Sequence, residues 1–204
     1  MLAIIDYGVG NLFSLRCSLE KLGADVTVSG DPEVLRNADR LILPGVGAFG
    51  DAVRKLRQSG LDRVVLEEAH NGKPLLGICL GMQMLFEKSL EYGEHKGLGL
   101  LQGSVISMEG MLPSDLPIPH IGWNALRFRG SSPLLKYIKE QDCVYFVHSY
   151  HAVGCEDSLI ATTEYGIDLT AAVAQNNIFG CQFHPEKSGE VGLGILRAFL
   201  EMEA

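Results

Sequence analysis

In the first half of the chain, short unbroken apolar runs alternate with segments whose apolar positions recur every three or four residues. Leu2 to Ile5 predicts a buried strand, and Asp6 to Gly10 a turn. A helix follows through Leu22, with Asn11 placed as its N-cap and Leu12, Leu15, Leu19 and Leu22 on one face. Gly23 ends that helix, and Ala24 to Val28 predicts the next strand. Asp31-Pro32 starts a short helix, and Arg40 to Leu43 predicts a third strand. Pro44-Gly45-Val46-Gly47 reads as a loop opening a helix from about Phe49 to Gln58, with a second helix over about Leu61 to His70. The apolar run Leu75 to Leu80, bounded by Pro74 and Gly81, predicts a strand that stops abruptly and gives way to a helical segment over Met82 to Lys88.

From about Leu98 the texture changes. Leu101 to Ser107, Ile121 to Phe128, Val144 to Val147, Ser158 to Glu164, Leu169 to Gln175 and Ile178 to Phe183 read as strands with little helix between them, which predicts antiparallel pairing. Glu190 to Glu201 predicts a closing helix. The fold class expected is α/β: a mixed, largely parallel central sheet with helices on both faces and an antiparallel, strand-rich C-terminal half. Residues 1–204 contain no repeat or linker that divides them, so one domain is expected. In such sheets, sites gather at the carboxyl ends of strands, where Cys79 and the Pro44 to Gly47 loop both fall.

The formal net charge of −8 argues against a nucleic-acid partner. Five cysteines, an odd number with no C-x-x-C pair, suit reduced thiols in a cytoplasm better than a disulfide frame or a metal site. Met1 leads straight into Leu2-Ala3-Ile4-Ile5 without a basic segment, and no long apolar span occurs, so a cytoplasmic protein with no membrane association is expected. No motif calls for a cofactor.

Cys79 sits at the predicted strand-to-helix corner with Gly77 and Gly81 two residues away on each side. This is the thiol counterpart of a G-x-S-x-G nucleophile elbow, where small neighbours permit a tight turn. A helix N-terminus there favours a thiolate and leaves N–H donors, the first from Leu80, for an oxyanion. A cysteine in an apolar run is also commonly a small buried hydrophobe, so a base is needed. His184-Pro185-Glu186 supplies a candidate: with the ring and carboxylate two residues apart they project to one side, and the carboxylate can fix the imidazole tautomer. His70, His95, His120, His148 and His151 remain alternative bases at this level. Backbone amides of Gly45, Val46 and Gly47 could help hold an oxyanion, although taken alone the same residues read more simply as an ordinary strand-to-helix turn.

The segment Gly77-Ile78-Cys79-Leu80-Gly81-Met82-Gln83, taken with His184-Pro185-Glu186, resembles the class I, triad-type glutamine amidotransferases. Within them, Asp6-Tyr7-Gly8-Val9-Gly10-Asn11, Leu43 to Phe49, His120-Ile121-Gly122-Trp123-Asn124 and His184 to Ser188 resemble the glutaminase subunits of imidazole glycerol phosphate synthases, and the similarity spans essentially the whole chain. The resemblance implies hydrolysis of L-glutamine through a γ-glutamyl thioester on Cys79, with His184 moving the proton and Glu186 orienting it. It implies a heterodimer with a (βα)₈-barrel cyclase that uses the ammonia in histidine biosynthesis. It places Gly47, Gln83, Glu91 and the backbone of Ser149 and Tyr150 on glutamine, and Asn11, Trp123, Tyr145 and Lys187 toward the partner. By itself, Trp123 in an Ile-Gly-Trp run reads as core, and Lys187 as a solvated charge. A glutaminase of another pathway, such as pyridoxal phosphate synthesis, is the nearest alternative; its loop usually has adjacent glycines, whereas Val46 separates Gly45 from Gly47 here. A non-catalytic subunit of the same fold is the alternative of a different class.

Overall fold

The computed structural model describes residues 1–202. In chain order the first half contains β1 (Leu2–Ile5), α1 (Leu12–Lys21), β2 (Val26–Ser29), α2 (Pro32–Asn37), β3 (Arg40–Leu43), α3 (Phe49–Gln58), α4 (Leu61–His70), β4 (Leu75–Ile78) and α5 (Leu80–Met84). The second half contains β5 (Phe86–Ser89), β6 (His95–Lys96), β7 (Leu101–Ser107), β8 (His120–Phe128), β9 (Cys143–His148), β10 (Tyr150–Val153), β11 (Leu159–Tyr165), β12 (Ile167–Gln175), β13 (Ile178–Cys181) and α6 (Gly189–Leu200). Single 3-10 turns occur at Pro133–Leu135 and Pro185–Lys187.

Nine strands form one sheet in the order β2-β1-β3-β4-β13-β12-β11-β8-β9. The pairs from β2 through β13 are parallel, and those from β13 through β9 are antiparallel. This is the mixed α/β architecture expected from the sequence. The apolar runs of β1, β3 and β4 are continuous because both sheet faces are covered. Ala3, Ile5, Leu41, Leu43 and Leu75 belong to one buried cluster with residues of α2, α3 and α4. Leu2, Ile4, Ile42, Leu76 and Ile78 belong to the other, with Leu15 and Leu19 of α1 and Ile195, Leu196 and Phe199 of α6. Burying each such large side chain stabilises the fold by about 1.5–3 kcal/mol relative to exposure.

Two local expectations need correction. The helix expected over Met82 to Lys88 stops at Met84, and Phe86–Ser89 is the strand β5. It joins a separate four-stranded sheet of order β10-β7-β5-β6, in which β5 runs parallel to β7. That sheet buries Phe86 and Ser89 while leaving Glu87 exposed, a period of pairing partners that local helix propensity cannot anticipate. Asn11 does occupy the N-cap position of α1, but its side chain makes no capping hydrogen bond there.

Candidate active site

The sheet order makes β4 and β13 parallel neighbours, with Ile78 paired to Cys181. The chain therefore leaves two adjacent strand ends on the same edge, one carrying Cys79 and the other leading to His184. The Cys79 N–H donates to the Cys181 carbonyl at 2.8 Å, the last rung before the two chains diverge. Cys79 then turns with φ 54° and ψ −113°, a backbone conformation rare for a residue with a side chain. Such strain persists where the surroundings hold it, and the flanking glycines show how. A Cβ at Gly81 would lie 1.8 Å from the Leu43 carbonyl oxygen, and one at Gly77 would lie 2.7 Å from Met82 Cα. The end of β3 and the start of α5 thus press against the elbow from opposite sides. Gly45 is equally close, its absent Cβ falling 2.7 Å from the Gly81 nitrogen.

His184 Nδ1 and Glu186 Oε1 lie 2.8 Å apart, with both side chains almost fully buried. A carboxylate can only accept, so Nδ1 carries the proton and Nε2 is the nitrogen available to the sulfur. Burial opposes protonation of this ring, but hydrogen bonding to Cys79 and to Glu186 outweighs it and raises the imidazolium to about 9. The backbone of His184 is itself fastened: its N–H donates to the Tyr145 carbonyl at 3.0 Å, and its carbonyl accepts from the Ser188 hydroxyl at 2.7 Å. Cys79 is 8% exposed and lies on the wall of a cavity of about 780 Å³. Val46, Gly47, Leu80, Gln83, Glu91, Ser149, Tyr150, His184 and Lys187 line the same space.

A thiol and an imidazole thus open on one pocket with a carboxylate behind the imidazole, an arrangement able to supply a nucleophile, a base and its orienter. Residues 3–202 match the family described as Glutamine amidotransferase class-I. The chain belongs to that family. The amidotransferase is 50% identical over 203 residues to the imidazole glycerol phosphate synthase subunit HisH of Caldanaerobacter subterraneus subsp. tengcongensis, with 99% of this chain and 98% of the relative covered. It is 51% identical over 203 residues to the same subunit of Geobacillus kaustophilus, with 98% and 96% covered. Its fold superposes with a TM-score of 0.76 on a solved glutamine amidotransferase of 21% identity, covering 98% and 97% of the two chains.

The amidotransferase brings Cys79, His184, Gly47, Leu80, Gln83, Glu91, Ser149 and Tyr150 to one cavity, with Glu186 behind His184. Glu91 arrives there from the loop after β5, not from a helix. One of its oxygens accepts from the Phe49 N–H at 2.5 Å, so the carboxylate also closes the start of α3. Gly45 is buried beneath the elbow, whereas Val46 and Gly47 are exposed at the pocket edge. Trp123 is 54% exposed, which corrects the reading of it as core. Along β8 its side chain falls on the outward face with Ile121, 57% exposed, because strand side chains alternate. Trp123 packs edge-to-face on Tyr145 at 6.1 Å, and Lys187 Nζ lies 5.9 Å from the Tyr145 ring. Asn11 is half-buried at the start of α1.

Sequence reasoning missed two neighbours of Cys79. The Tyr7 hydroxyl donates to the Pro44 carbonyl at 2.8 Å, pinning the root of the glycine loop, and burial together with Cys79 raises its pKa. Gln182 is fully buried and its amide reaches the Cys79 sulfur. Its position two residues before His184 on an extended segment was the one available signal. Of the other histidines, His120, His148 and His151 are buried and His148 lines the cavity. Burial pushes His148 down to about 3, so it stays neutral beside the pocket.

Proposed function

We propose that the chain is the glutaminase subunit of an imidazole glycerol phosphate synthase, acting as one unit over its whole length and handing ammonia to a (βα)₈-barrel cyclase. The observation that carries the reading is the buried pairing of His184 Nδ1 with Glu186 at 2.8 Å, which leaves the opposite nitrogen to the Cys79 sulfur. The full-length similarity to HisH subunits supports the pathway assignment.

The Cys79 thiolate attacks the side-chain carbonyl carbon of glutamine, and the electron pair of the C=O moves onto oxygen. The Leu80 N–H, one of the donors at the start of α5 that no helical carbonyl takes up, and an amide of the Gly45-Val46-Gly47 loop face that oxyanion. As the tetrahedral centre collapses, the C–N bond breaks and the His184 imidazolium gives its proton to the departing nitrogen, releasing ammonia. Water then attacks the thioester and gives a proton to His184, and the sulfur leaves as thiolate. Glu186 holds the ring orientation throughout.

The substrate's α-ammonium fits acceptors. Both amide protons of Gln83 are already committed, to the Tyr150 carbonyl at 3.1 Å and to Gln182 Oε1 at 2.9 Å. What Gln83 still offers a ligand is its carbonyl oxygen, which together with the Glu91 carboxylate suits a cation. The backbone at Ser149 and Tyr150 covers the other side. Trp123, Tyr145, Lys187 and Asn11 form the partner face. An exposed tryptophan packed on a half-buried tyrosine beside a lysine is the kind of anchor interfaces use. The Tyr145 carbonyl that receives His184 N–H links this face to the triad.

The test is a titration of the chain with the cognate cyclase and its nucleotide ligand, read by glutamate release, alongside labelling with a γ-electrophilic glutamine analogue. The expected result is slow release by the chain alone, strong acceleration with the cyclase, and label on Cys79 rather than on Cys17, Cys143, Cys155 or Cys181. Full activity without the cyclase contradicts the coupling, and label on another thiol contradicts the nucleophile.

A further inference from the structure

We propose that Gln182 is a positioning residue for the nucleophile, its side-chain amide donating a hydrogen bond that holds the Cys79 sulfur as a thiolate aimed at the bound carbonyl. The inference rests on Cys79 being the nucleophile of the reaction above.

Gln182 has no exposed surface, and its Nε2 lies 3.7 Å from Cys79 Sγ, within the reach of a hydrogen bond to sulfur. The direction of that bond is fixed by a chain that begins at a backbone carbonyl. The Tyr150 carbonyl can only accept, and it accepts from Gln83 Nε2 at 3.1 Å and from His148 Nδ1 at 2.8 Å. Gln83 therefore presents its NH₂ end to Tyr150, and the second proton of that group goes to Gln182 Oε1 at 2.9 Å. Gln182 must then turn its NH₂ end to the sulfur. Rotating its amide by 180° sets donor against donor at Gln83 and an oxygen lone pair against the sulfur. The pair extends on the far side, where His148 Nε2 meets His120 Nδ1 at 3.1 Å, so the whole chain is anchored from β8 and β9 to the elbow.

The remaining groups around the sulfur leave this donor a distinct task. Tyr7, on the loop after β1, stays protonated and spends its hydroxyl proton on the Pro44 carbonyl. Cys181, on β13, is fully buried and its thiol donates to the Gly77 carbonyl at 3.9 Å. His184 is the other partner, but its proton leaves with ammonia. Glu186 lies behind His184, bonded to its far nitrogen. Gln182 gives the sulfur a hydrogen bond that stays in place whether or not His184 holds its proton. That matters whenever negative charge sits on sulfur, before the attack on glutamine and again when the C–S electron pair returns during thioester hydrolysis, because the His184 imidazolium hands its proton on to nitrogen while the Gln182 amide keeps its own. A donor that is buried and already oriented costs no reorganisation at that moment.

Two variants separate this role from packing. Gln182→Glu keeps the acceptor that Gln83 needs and removes the amide donor; Gln182→Met keeps the length and removes both polar ends. In the full chain, the rate of Cys79 alkylation by iodoacetamide is followed against pH, with peptide mapping to separate it from the exposed Cys17 and Cys143. Steady-state glutamate release is measured with the cyclase bound. In both variants the alkylation midpoint is expected to rise by about one pH unit, a tenfold loss of thiolate below it. In Gln182→Glu, kcat is expected to fall at least tenfold while KM for glutamine stays within about threefold. Midpoints matching the unsubstituted protein in whichever variant folds, with kcat within twofold, overturn the inference. If instead the unsubstituted protein releases no glutamate, or glutamine does not protect Cys79 from iodoacetamide, it is the glutaminase reading that fails.

Discussion

Replacing Glu186 by Gln removes one negative charge from the triad and leaves a carbonyl oxygen able to accept the His184 Nδ1 proton across the same 2.8 Å. His184 at about 9 stands 2.5 units above its ordinary 6.5, a preference for the imidazolium of roughly 3 kcal/mol at about 1.4 kcal/mol per unit. Burial of the ring works against this preference, and Cys79 contributes more to it than Glu186 does. Glu186 Oε2 is buried without a protein partner among the described residues, so the charge of the carboxylate is not spent on another donor. Losing that charge is worth about 1–1.5 kcal/mol, or about one pH unit on His184. Because ammonia departs with a proton from His184, glutamate release by the cyclase-bound enzyme falls on the alkaline side as the imidazolium is lost. The alkaline limb is therefore expected near 9 in the unsubstituted enzyme and about one unit lower in Glu186→Gln, with kcat down about threefold at pH 8.5 and approaching tenfold at pH 10. Glu186→Ala also loses the tautomer restraint and is expected to fall by about a thousandfold. A pH–rate profile between 6 and 10 measures both. An alkaline limb that does not move in Glu186→Gln, with turnover within twofold, refutes the account of Glu186 as charge partner.

Two further outcomes follow from the same geometry. In Gly81→Ala the new Cβ must retreat from 1.8 Å to at least 3 Å from the Leu43 carbonyl, forcing the end of β3 and the glycine loop away from the elbow by more than 1 Å. A loss of about 2–3 kcal/mol in denaturant unfolding and a fall in turnover of about 100-fold are expected, against little change for Gly130→Ala, whose Cβ would meet the Leu159 carbonyl oxygen at an ordinary 3.8 Å; equal behaviour of the two variants refutes the packing argument. The second outcome concerns pH. His148 and His151 are held down to about 3 and about 4 by burial, so their contribution is full above 6.5 and is lost as the unfolded chain takes up protons below it. At pH 5 the two together cost about 4 kcal/mol. His184 has the opposite sign: its contribution is full below 6.5 and fades as pH rises through about 9, returning about 1.4 kcal/mol between pH 7.5 and 5. Urea unfolding at pH 7.5 and 5 is expected to show a net loss of about 3 kcal/mol, and His151→Leu is expected to remove about 2 kcal/mol of the drop. An unchanged drop in that variant contradicts the assignment.

Much of the fold was legible in one dimension. The apolar runs at Leu2 to Ile5, Arg40 to Leu43 and Leu75 to Ile78 read as strands covered on both faces, and the Leu12, Leu15, Leu19 spacing as one face of a helix, as the structure has them. Gly77 and Gly81 around Cys79, and Glu186 two residues after His184, are local patterns that mark candidates by spacing, while the choice among six histidines stayed open at that level. β5 was not legible, because Phe86–Ser89 is extended only by virtue of pairing with β6 and β7. Nor was the exposure of Trp123, since a large aromatic in a strand shows no sign of which face is covered.

The sequence by itself determined the residue types, their order and the sharp turn at Cys79. Only the tertiary structure decided that β13 lies beside β4, although roughly 100 residues separate them in the chain, and so that His184, of six histidines, is brought to the Cys79 sulfur. It also decided that Gln182 turns its donor, and not its acceptor, toward Cys79, because that orientation is inherited through Gln83 from the Tyr150 backbone. Short-range spacing can place a side chain on one side of a strand. Which strand stands next to it, and which lone pairs are already taken there, depends on contacts between distant parts of the chain.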